Sequence, residues 1–139
     1  MVMKRWIAYE GSEFTIEWYC DSKGYSQALE YFEEQPKDRQ RKLLNLFRLM
    51  GEQGKIFDET KFRNEGDGIY AFKPQPDRYL CFFFKWKKII VTNAFIKKAQ
   101  KLPESEKEQA LNREIARKIT WHLRSWEDNR DSNRQAFFC

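Results

Sequence analysis

Residues 78–96, RYLCFFFKWKKIIVTNAFI, decide the fold because they hold the most apolar part of the chain. If residues 78–86 form a strand, most side chains on each of its two faces are apolar. This predicts a central strand that is at least partly covered on both faces. Two lysines make a tight link to another strand, residues 89–96, and the turn QPD joins a shorter strand, residues 69–74, to the first. We therefore expect an antiparallel meander of three strands.

A strand and two helices are predicted before this meander. The alternating pattern of residues 13–20, EFTIEWYC, is typical of a half-buried strand. Ser26 can cap a short helix that ends before the next proline, and a second helix is predicted over residues 36–52. The segment 55–68 is polar and marked by glycines, which predicts a loop.

The last predicted element is a long helix. Ser105 with Glu108 three residues later has the pattern of a capping box. An apolar stripe at i+4 steps follows and should face the core; its members are Leu111, Ile115, Ile119 and Leu123. The order β-α-α-β-β-β-α predicts one α+β domain over residues 1–139, with an antiparallel sheet that carries its helices on one side. We expect a core of about 14–123, flanked by extensions at 1–13 and 124–139.

Composition excludes several classes of protein. Hydrophobic residues make up 41% and charged residues 34%, which is typical of a globular domain. No apolar run is long enough for a membrane span, and the first residues lack a secretory pattern, so we expect a cytoplasmic protein. A single histidine, His122, and the lack of a P-loop, a GxGxxG motif or zinc-finger spacing predict neither metal nor nucleotide cofactor.

Positive charge is concentrated in the second half of the chain. Residues 61–124 carry 15 Lys or Arg against 7 Asp or Glu, whereas residues 1–60 carry 9 against 11. Such an asymmetry favours a polyanionic partner, such as a nucleic acid or another phosphate ligand.

Four basic residues lie at predicted strand ends. Lys73 and Arg78 flank the QPD turn, and Lys97 with Lys98 follows the third meander strand. They could form a cluster that binds and polarises a phosphate. Strand ends are also commonly solvated and protected by lysine, so the residues alone leave both interpretations open. Further basic residues lie nearby in the chain: Lys61, Arg63 and Lys101.

Four blocks in order resemble the RelE/HigB superfamily of bacterial type II toxins, and specifically its phage-derived HigB-like branch. Residues 14–54 are similar to the family's strand and helical hairpin, GIYAFKP and DRYLCFFF to its next two strands, and NAFIKKAQKLPESEKEQALNR to its basic pair and final helix. The resemblance spans about Phe14 to Thr120 and implies a RelE-like small domain. Two positions depart from the pattern: Ala71 stands where the RelE branch is basic, and no aromatic residue lies near Glu104.

The resemblance implies a ribosome-associated mRNA endoribonuclease that uses no metal or cofactor. It also implies inhibition by a cognate antitoxin, which we expect to be a helix-turn-helix DNA-binding protein. Carried over residue by residue, the catalytic set is Lys73, Arg78, Lys97 and Lys98, and the RNA-binding set is Lys61, Arg63 and Lys101.

Two other functions remain open on the same fold. A toxin of ParE type acts on DNA gyrase by protein contact and cuts no RNA. An inactive remnant would only bind an antitoxin. A nuclease requires the four catalytic candidates to converge, whereas a gyrase-binding protein can have them scattered.

Overall fold

The computed structural model describes residues 6–98 and 101–130, and their side chains as far as residue 120. Along this part of the chain lie six strands and three helices. The strands are β1 Ile7–Glu10, β2 Thr15–Trp18, β3 Phe62–Gly66, β4 Ile69–Phe72, β5 Asp77–Phe84 and β6 Lys88–Ile96. The helices are α1 Gln27–Glu34, α2 Lys37–Gln53 and α3 Glu104–Arg130. The α+β class is confirmed, and the arrangement is compatible with a RelE-like small domain.

All six strands form one sheet in the order β1-β2-β6-β5-β4-β3. The predicted meander of β4, β5 and β6 is confirmed, since both of its strand pairs are antiparallel. The sheet as a whole is mixed, because β2 pairs with β6 in parallel. That pairing is possible because the α-hairpin and the meander return the chain to the same end of the sheet before β6 begins.

Helices cover both faces of the sheet, so the prediction that they lie on one side was wrong. Tyr79 packs into a core cluster with residues of α1 and α2, whereas its neighbour Leu80 packs into a second cluster with Ala110 of α3. Successive side chains of a strand point to opposite faces. The apolar pattern on both faces of β5 therefore needs two covering layers, and α3 supplies the second.

The helical hairpin forms as predicted, with small differences at its ends. The backbone N–H of Leu29 donates to Ser26 Oγ at 3.2 Å, which confirms the N-cap of α1. Pro36 occupies the N-cap of α2 and not its first turn. Gly54 ends α2 in the left-handed region at φ 78° and donates its N–H to the Met50 carbonyl at 2.9 Å.

Two strands, β1 and β3, were not predicted. Both are short strands at the edges of the sheet, where few positions are buried. β1 lies within the predicted N-terminal extension, and its turn rests directly on α2: a Cβ on Gly11 would lie 2.3 Å from the Gly51 carbonyl oxygen. β3 lies in the segment predicted as a loop, which was wrong. Its polar residues face solvent, and Phe62 anchors it by packing on Phe72 with ring centroids 4.8 Å apart.

Helix α3 differs from its prediction in its start and in the face it buries. It begins at Glu104, so Ser105 lies inside the first turn and the predicted capping box was wrong. Arg117 is only 7% exposed, whereas Ile115 and Ile119 of the predicted stripe are 55% and 54% exposed. Arg117 takes the inner face because it stacks on the Phe84 ring and pairs with buried Glu17. The side chain of Leu123 lies outside the described residues.

Candidate functional site

A pocket of about 420 Å³ opens where β4 ends, β5 begins and β6 runs into α3. We call it the basic pocket, because the side chains that line it include seven basic residues against three acidic ones. The basic residues are Arg63, Lys73, Arg78, Lys97, Lys98, Lys101 and Lys107; the acidic ones are Glu65, Glu104 and Glu106.

Strand register explains why these residues meet. Phe72 pairs with Tyr79 across β4 and β5, so Lys73 and Arg78 are each one residue nearer the shared turn. Arg78 itself pairs with Phe95 of β6. The backbone N–H of Lys97 then donates to the Pro76 carbonyl at 3.0 Å, which holds the end of β6 beside the turn. Residues separated by some twenty positions in sequence are thus brought to one end of the sheet.

Arg78 is the most enclosed cation of the pocket. It is 5% exposed, and its Nη1 donates to Gln75 Oε1 at 3.1 Å and to the Asp77 carbonyl at 3.0 Å. Burial lowers the pKa of Arg78, while Glu65 and Asp77 act in the opposite direction. An arginine remains charged despite such a shift. The guanidinium is therefore a fixed positive charge at the base of the pocket.

Lys73 has a different electrostatic environment. It is half-buried, and its Nζ donates to the Glu59 carbonyl at 3.1 Å. Burial lowers the pKa of Lys73 most, and the positive charges of Arg78, Arg63 and Lys97 lower it further against the opposing effect of Glu65. A lysine with a lowered pKa loses its proton more readily, which is what a lysine needs to act as a base.

Three more candidates line the pocket from the strand end and the following loop. Lys97, Lys98 and Lys101 are all exposed there, and their ammonium groups can move to meet a ligand. Lys61 does not join them. Its side chain lies along a separate groove beside α2, although its carbonyl accepts a hydrogen bond from the Lys73 N–H at 2.8 Å. The structure thus brings together six of the seven predicted site residues.

Arg63 belongs to the pocket for a reason that the sequence did not reveal. It lies on β3 and pairs directly with Ala71 on β4. Paired residues place their side chains on the same face of a sheet. Positive charge therefore reaches this part of the pocket from the neighbouring strand.

Sequence reasoning missed the contribution of α3 to the pocket. Asn93 is buried in β6, and its Nδ2 donates to the Glu106 carbonyl oxygen at 3.1 Å and to Glu106 Oε1 at 2.9 Å. Lys107 pairs with Asp67 in the β3–β4 turn at 2.9 Å. These contacts hold the first turn of α3 over the sheet. A buried asparagine within an apolar strand was the one sequence signal for them.

A buried ionic network supports the start of β5 from the opposite face. Asp77 is 1% exposed, and its carboxylate accepts hydrogen bonds from Tyr31 Oη at 2.6 Å and from Arg39 Nε at 3.0 Å, with a second contact to Arg39 Nη2. Burial and this hydrogen bond raise the pKa of Tyr31, so its phenol stays protonated and donates. The network ties both helices of the α-hairpin to the residue next to Arg78.

Among residues 6–98 and 101–130, no three His, Cys, Asp or Glu side chains are grouped so that they could hold a metal ion. Within the same part of the chain, no helix combines the length and apolar character that a membrane crossing needs.

A comparison with curated proteins gives no match. A comparison with protein families matches residues 30–115, more than half of the chain, to the family described as phage-derived protein Gp49-like. The matched range runs from α1 into α3 and includes every residue predicted for the site. The basic pocket therefore lies wholly within the matched range, because its lining residues run from Arg63 to Lys107. The chain belongs to the phage-derived Gp49-like family, which is of the RelE/HigB-like toxin type and pairs with an antitoxin.

Proposed function

We propose that this protein is the toxin of a type II toxin–antitoxin system, of the HigB-like branch, and that it cleaves mRNA on the ribosome without a metal ion. The observation that carries the proposal is the convergence of Lys73, Arg78, Lys97 and Lys98 in one pocket. A gyrase-binding relative has no need of such a cluster. Family membership supports the toxin class, and the pocket supports the nuclease.

The proposed reaction is attack of a ribose 2′-OH on the adjacent phosphorus. Lys73, in its neutral form, accepts the 2′-OH proton as the new bond from O2′ to phosphorus forms. The bond from phosphorus to O5′ breaks, and O5′ takes a proton from the ammonium of Lys97 or Lys98. The products are a 2′,3′-cyclic phosphate and a 5′-OH, so atoms and charge balance without a cofactor.

Arg78 has the role of binding the phosphate oxygens where negative charge develops. Its guanidinium is planar, permanently charged and held in place by two hydrogen bonds, so little reorganisation is needed during the reaction. Arg63 and Lys101 at the pocket wall would bind neighbouring phosphates. Lys61 would do so outside the pocket. The cognate antitoxin, proposed to be a helix-turn-helix protein, would neutralise this basic surface.

The function is tested by expressing the chain in a bacterium and following a reporter mRNA by primer extension. We expect translation to stop and new 5′ ends to appear within the reading frame, and neither effect with Arg78→Ala. Replication is followed in the same cultures. Intact mRNA together with stalled replication forks would contradict the nuclease and support action on gyrase instead.

A dependence on pH follows from the position of Lys73. If its neutral amine is the base, the cleavage rate rises with pH until Lys73 is deprotonated. Arg63 helps to lower the pKa of Lys73, so Arg63→Gln raises that pKa and should move the rising limb to higher pH. The measurement is the rate of cleavage of a short RNA at saturating concentration across a pH series.

The matched control for this pH series is Arg48→Gln, which removes an exposed arginine from α2. Its rising limb should coincide with that of the unmodified protein. If the rise of the cleavage rate with pH also occurs at the same pH in Arg63→Gln, Lys73 is not the group whose titration controls the rate.

A further inference from the structure

The turn formed by residues 58–61 leads into β3 and holds Lys73 at two points. Lys73 Nζ donates to the Glu59 carbonyl at 3.1 Å, and the Lys73 backbone N–H donates to the Lys61 carbonyl at 2.8 Å. One hydrogen bond from the amine to a carbonyl leaves the lone pair of its neutral form available to accept a proton. The 58–61 turn therefore fixes the Lys73 amine without blocking the role proposed for it.

The same turn reaches Arg78 through Gln75. Gln75 Nε2 donates to the Thr60 carbonyl at 3.3 Å, and Gln75 Oε1 accepts a hydrogen bond from Arg78 Nη1 at 3.1 Å. Gln75 has a φ of 60°, which is uncommon for a residue other than glycine and persists where the surrounding contacts fix it. The carbonyl groups of residues 59–61 thus support Lys73 directly and the Arg78 guanidinium through one amide.

Asp58 orders this turn. Its Oδ1 accepts hydrogen bonds from the Thr60 backbone N–H at 2.9 Å and from Thr60 Oγ1 at 2.6 Å. Its carbonyl accepts from the backbone N–H groups of Lys61 and Phe62, at 2.9 and 3.0 Å. Aspartate and asparagine commonly stabilise turns by accepting from the backbone N–H two residues later. Without this side chain, the turn loses the contacts that set the direction of the Glu59 and Thr60 carbonyl groups.

Burial explains little of this arrangement, because all four residues of the 58–61 turn are exposed. Its hydrogen bonds instead fix two residues of the pocket. Lys73 and Arg78 have the proposed roles that depend most on geometry, since a base must lie within hydrogen-bond reach of its proton and an oxyanion donor must be preorganised. Lys97 and Lys98, by contrast, are exposed and can move to meet a ligand.

We infer that Asp58 is a positioning residue for the proposed cleavage reaction. It orders the 58–61 turn, which holds Lys73 Nζ and, through Gln75, the Arg78 guanidinium. Asp58 lies outside the set of described residues that line the basic pocket, so it acts through these side chains and not on the RNA. The inference rests on the function proposed above.

The test compares the cleavage kinetics of two variants on a short RNA. Asp58→Ala should lower kcat by about 10- to 100-fold, since a displacement of roughly 1 Å at a catalytic group can cost a factor of about 100. KM should change little, because the exposed lysines of the pocket still bind phosphates. Asp58→Asn keeps an oxygen that accepts the Thr60 N–H and should restore most of kcat.

The matched control is Asp21→Ala. Asp21 Oδ1 accepts from the backbone N–H groups of Lys23 at 2.9 Å and Tyr25 at 3.0 Å, so this variant removes the same kind of turn contact before α1. Its kcat should equal that of the native chain, and its melting temperature should change about as little as that of Asp58→Ala. The comparison separates the loss of a surface turn in general from the loss of the turn that supports the pocket.

A measurement without RNA separates this inference from the nuclease itself. The ε-methylene resonance of Lys73 is followed by NMR in the free protein and is identified by its loss in Lys73→Met. In Asp58→Ala it should move towards the shifts of the exposed lysines, whereas in Asp21→Ala it should stay in place. If it moves in this way in a protein that cuts no RNA, the positioning of Lys73 is supported and the nuclease is refuted.

Three results would overturn the role of Asp58. They are a native kcat in Asp58→Ala, a Lys73 resonance that does not move in that variant, and a loss of kcat that Asp58→Asn fails to restore. The last result would assign the effect to the charge of the carboxylate and not to the turn that it orders.

Discussion

Replacing Arg78 by alanine should lower the rate of RNA cleavage by about 10²- to 10³-fold, the range seen when a donor to a developing oxyanion is removed. Among the described residues that line the pocket, Arg78 is the one buried cation, and it is held by Gln75 and the Asp77 carbonyl, so no flexible lysine can take its position. The rate is measured on a short RNA at saturating concentration, so that weaker binding does not contribute. Affinity should fall much less than the rate.

Arg78→Lys is the informative companion to this variant. It keeps the charge but loses the planar fork that can bind two oxygens at once, so an intermediate rate is expected. Because the residue is buried, each variant also needs its melting temperature and circular dichroism spectrum measured. A folded Arg78→Ala protein that cleaves RNA at the native rate would refute the assigned role.

The second large effect is on stability. Arg39→Ala should lower the free energy of unfolding by about 3 kcal/mol, because it leaves the Asp77 carboxylate buried without its cation. Asp77 is 1% exposed, but Arg39 is 23% exposed and so is partly solvated. The expected loss of stability is therefore near the lower end of the range for breaking a buried ion pair. Urea unfolding followed by fluorescence measures it.

Two variants test whether the unpaired charge is the cause. Arg41→Ala removes an exposed arginine from the same helix and should change stability by less than about 0.5 kcal/mol. Adding Asp77→Asn to Arg39→Ala replaces the unpaired buried carboxylate by a neutral amide. The double variant should therefore recover part of the stability that Arg39→Ala loses. If the double variant is less stable than Arg39→Ala by the full effect of Asp77→Asn alone, the two residues do not interact and the explanation is wrong.

Much of the site could be predicted because its residues are marked by local features. Lys73, Arg78, Lys97 and Lys98 stand next to turns that follow apolar strands, and the end of an apolar strand is visible in the sequence. The acidic residues that line the pocket could not be predicted in this way, because charged residues occur throughout the loops and helices. They are Glu65, Glu104 and Glu106. Lys61 shows the converse: it is near Arg63 in sequence, but its side chain points into a different groove.

The sequence by itself determined those features that depend on neighbouring residues. The apolar character of β5 on both faces and the Ser26 cap depend on side chains within a few positions of one another, and both were predicted correctly. The half-buried pattern expected for β2 was wrong, because Glu17 on its polar side is only 4% exposed.

Tertiary structure alone decided which segments pair and which surfaces meet. The edge strand β3 forms because Phe62 packs on Phe72, and β1 forms because Gly11 fits against Gly51, although neither segment carries a strong strand pattern. Arg117 lies on the buried face of α3 because it pairs with Glu17. Glu17 is 100 residues earlier in the chain, so the sequence near Arg117 gives no sign of this contact. Such contacts join residues that are distant in sequence, and their free energy exists only when the whole sheet has formed.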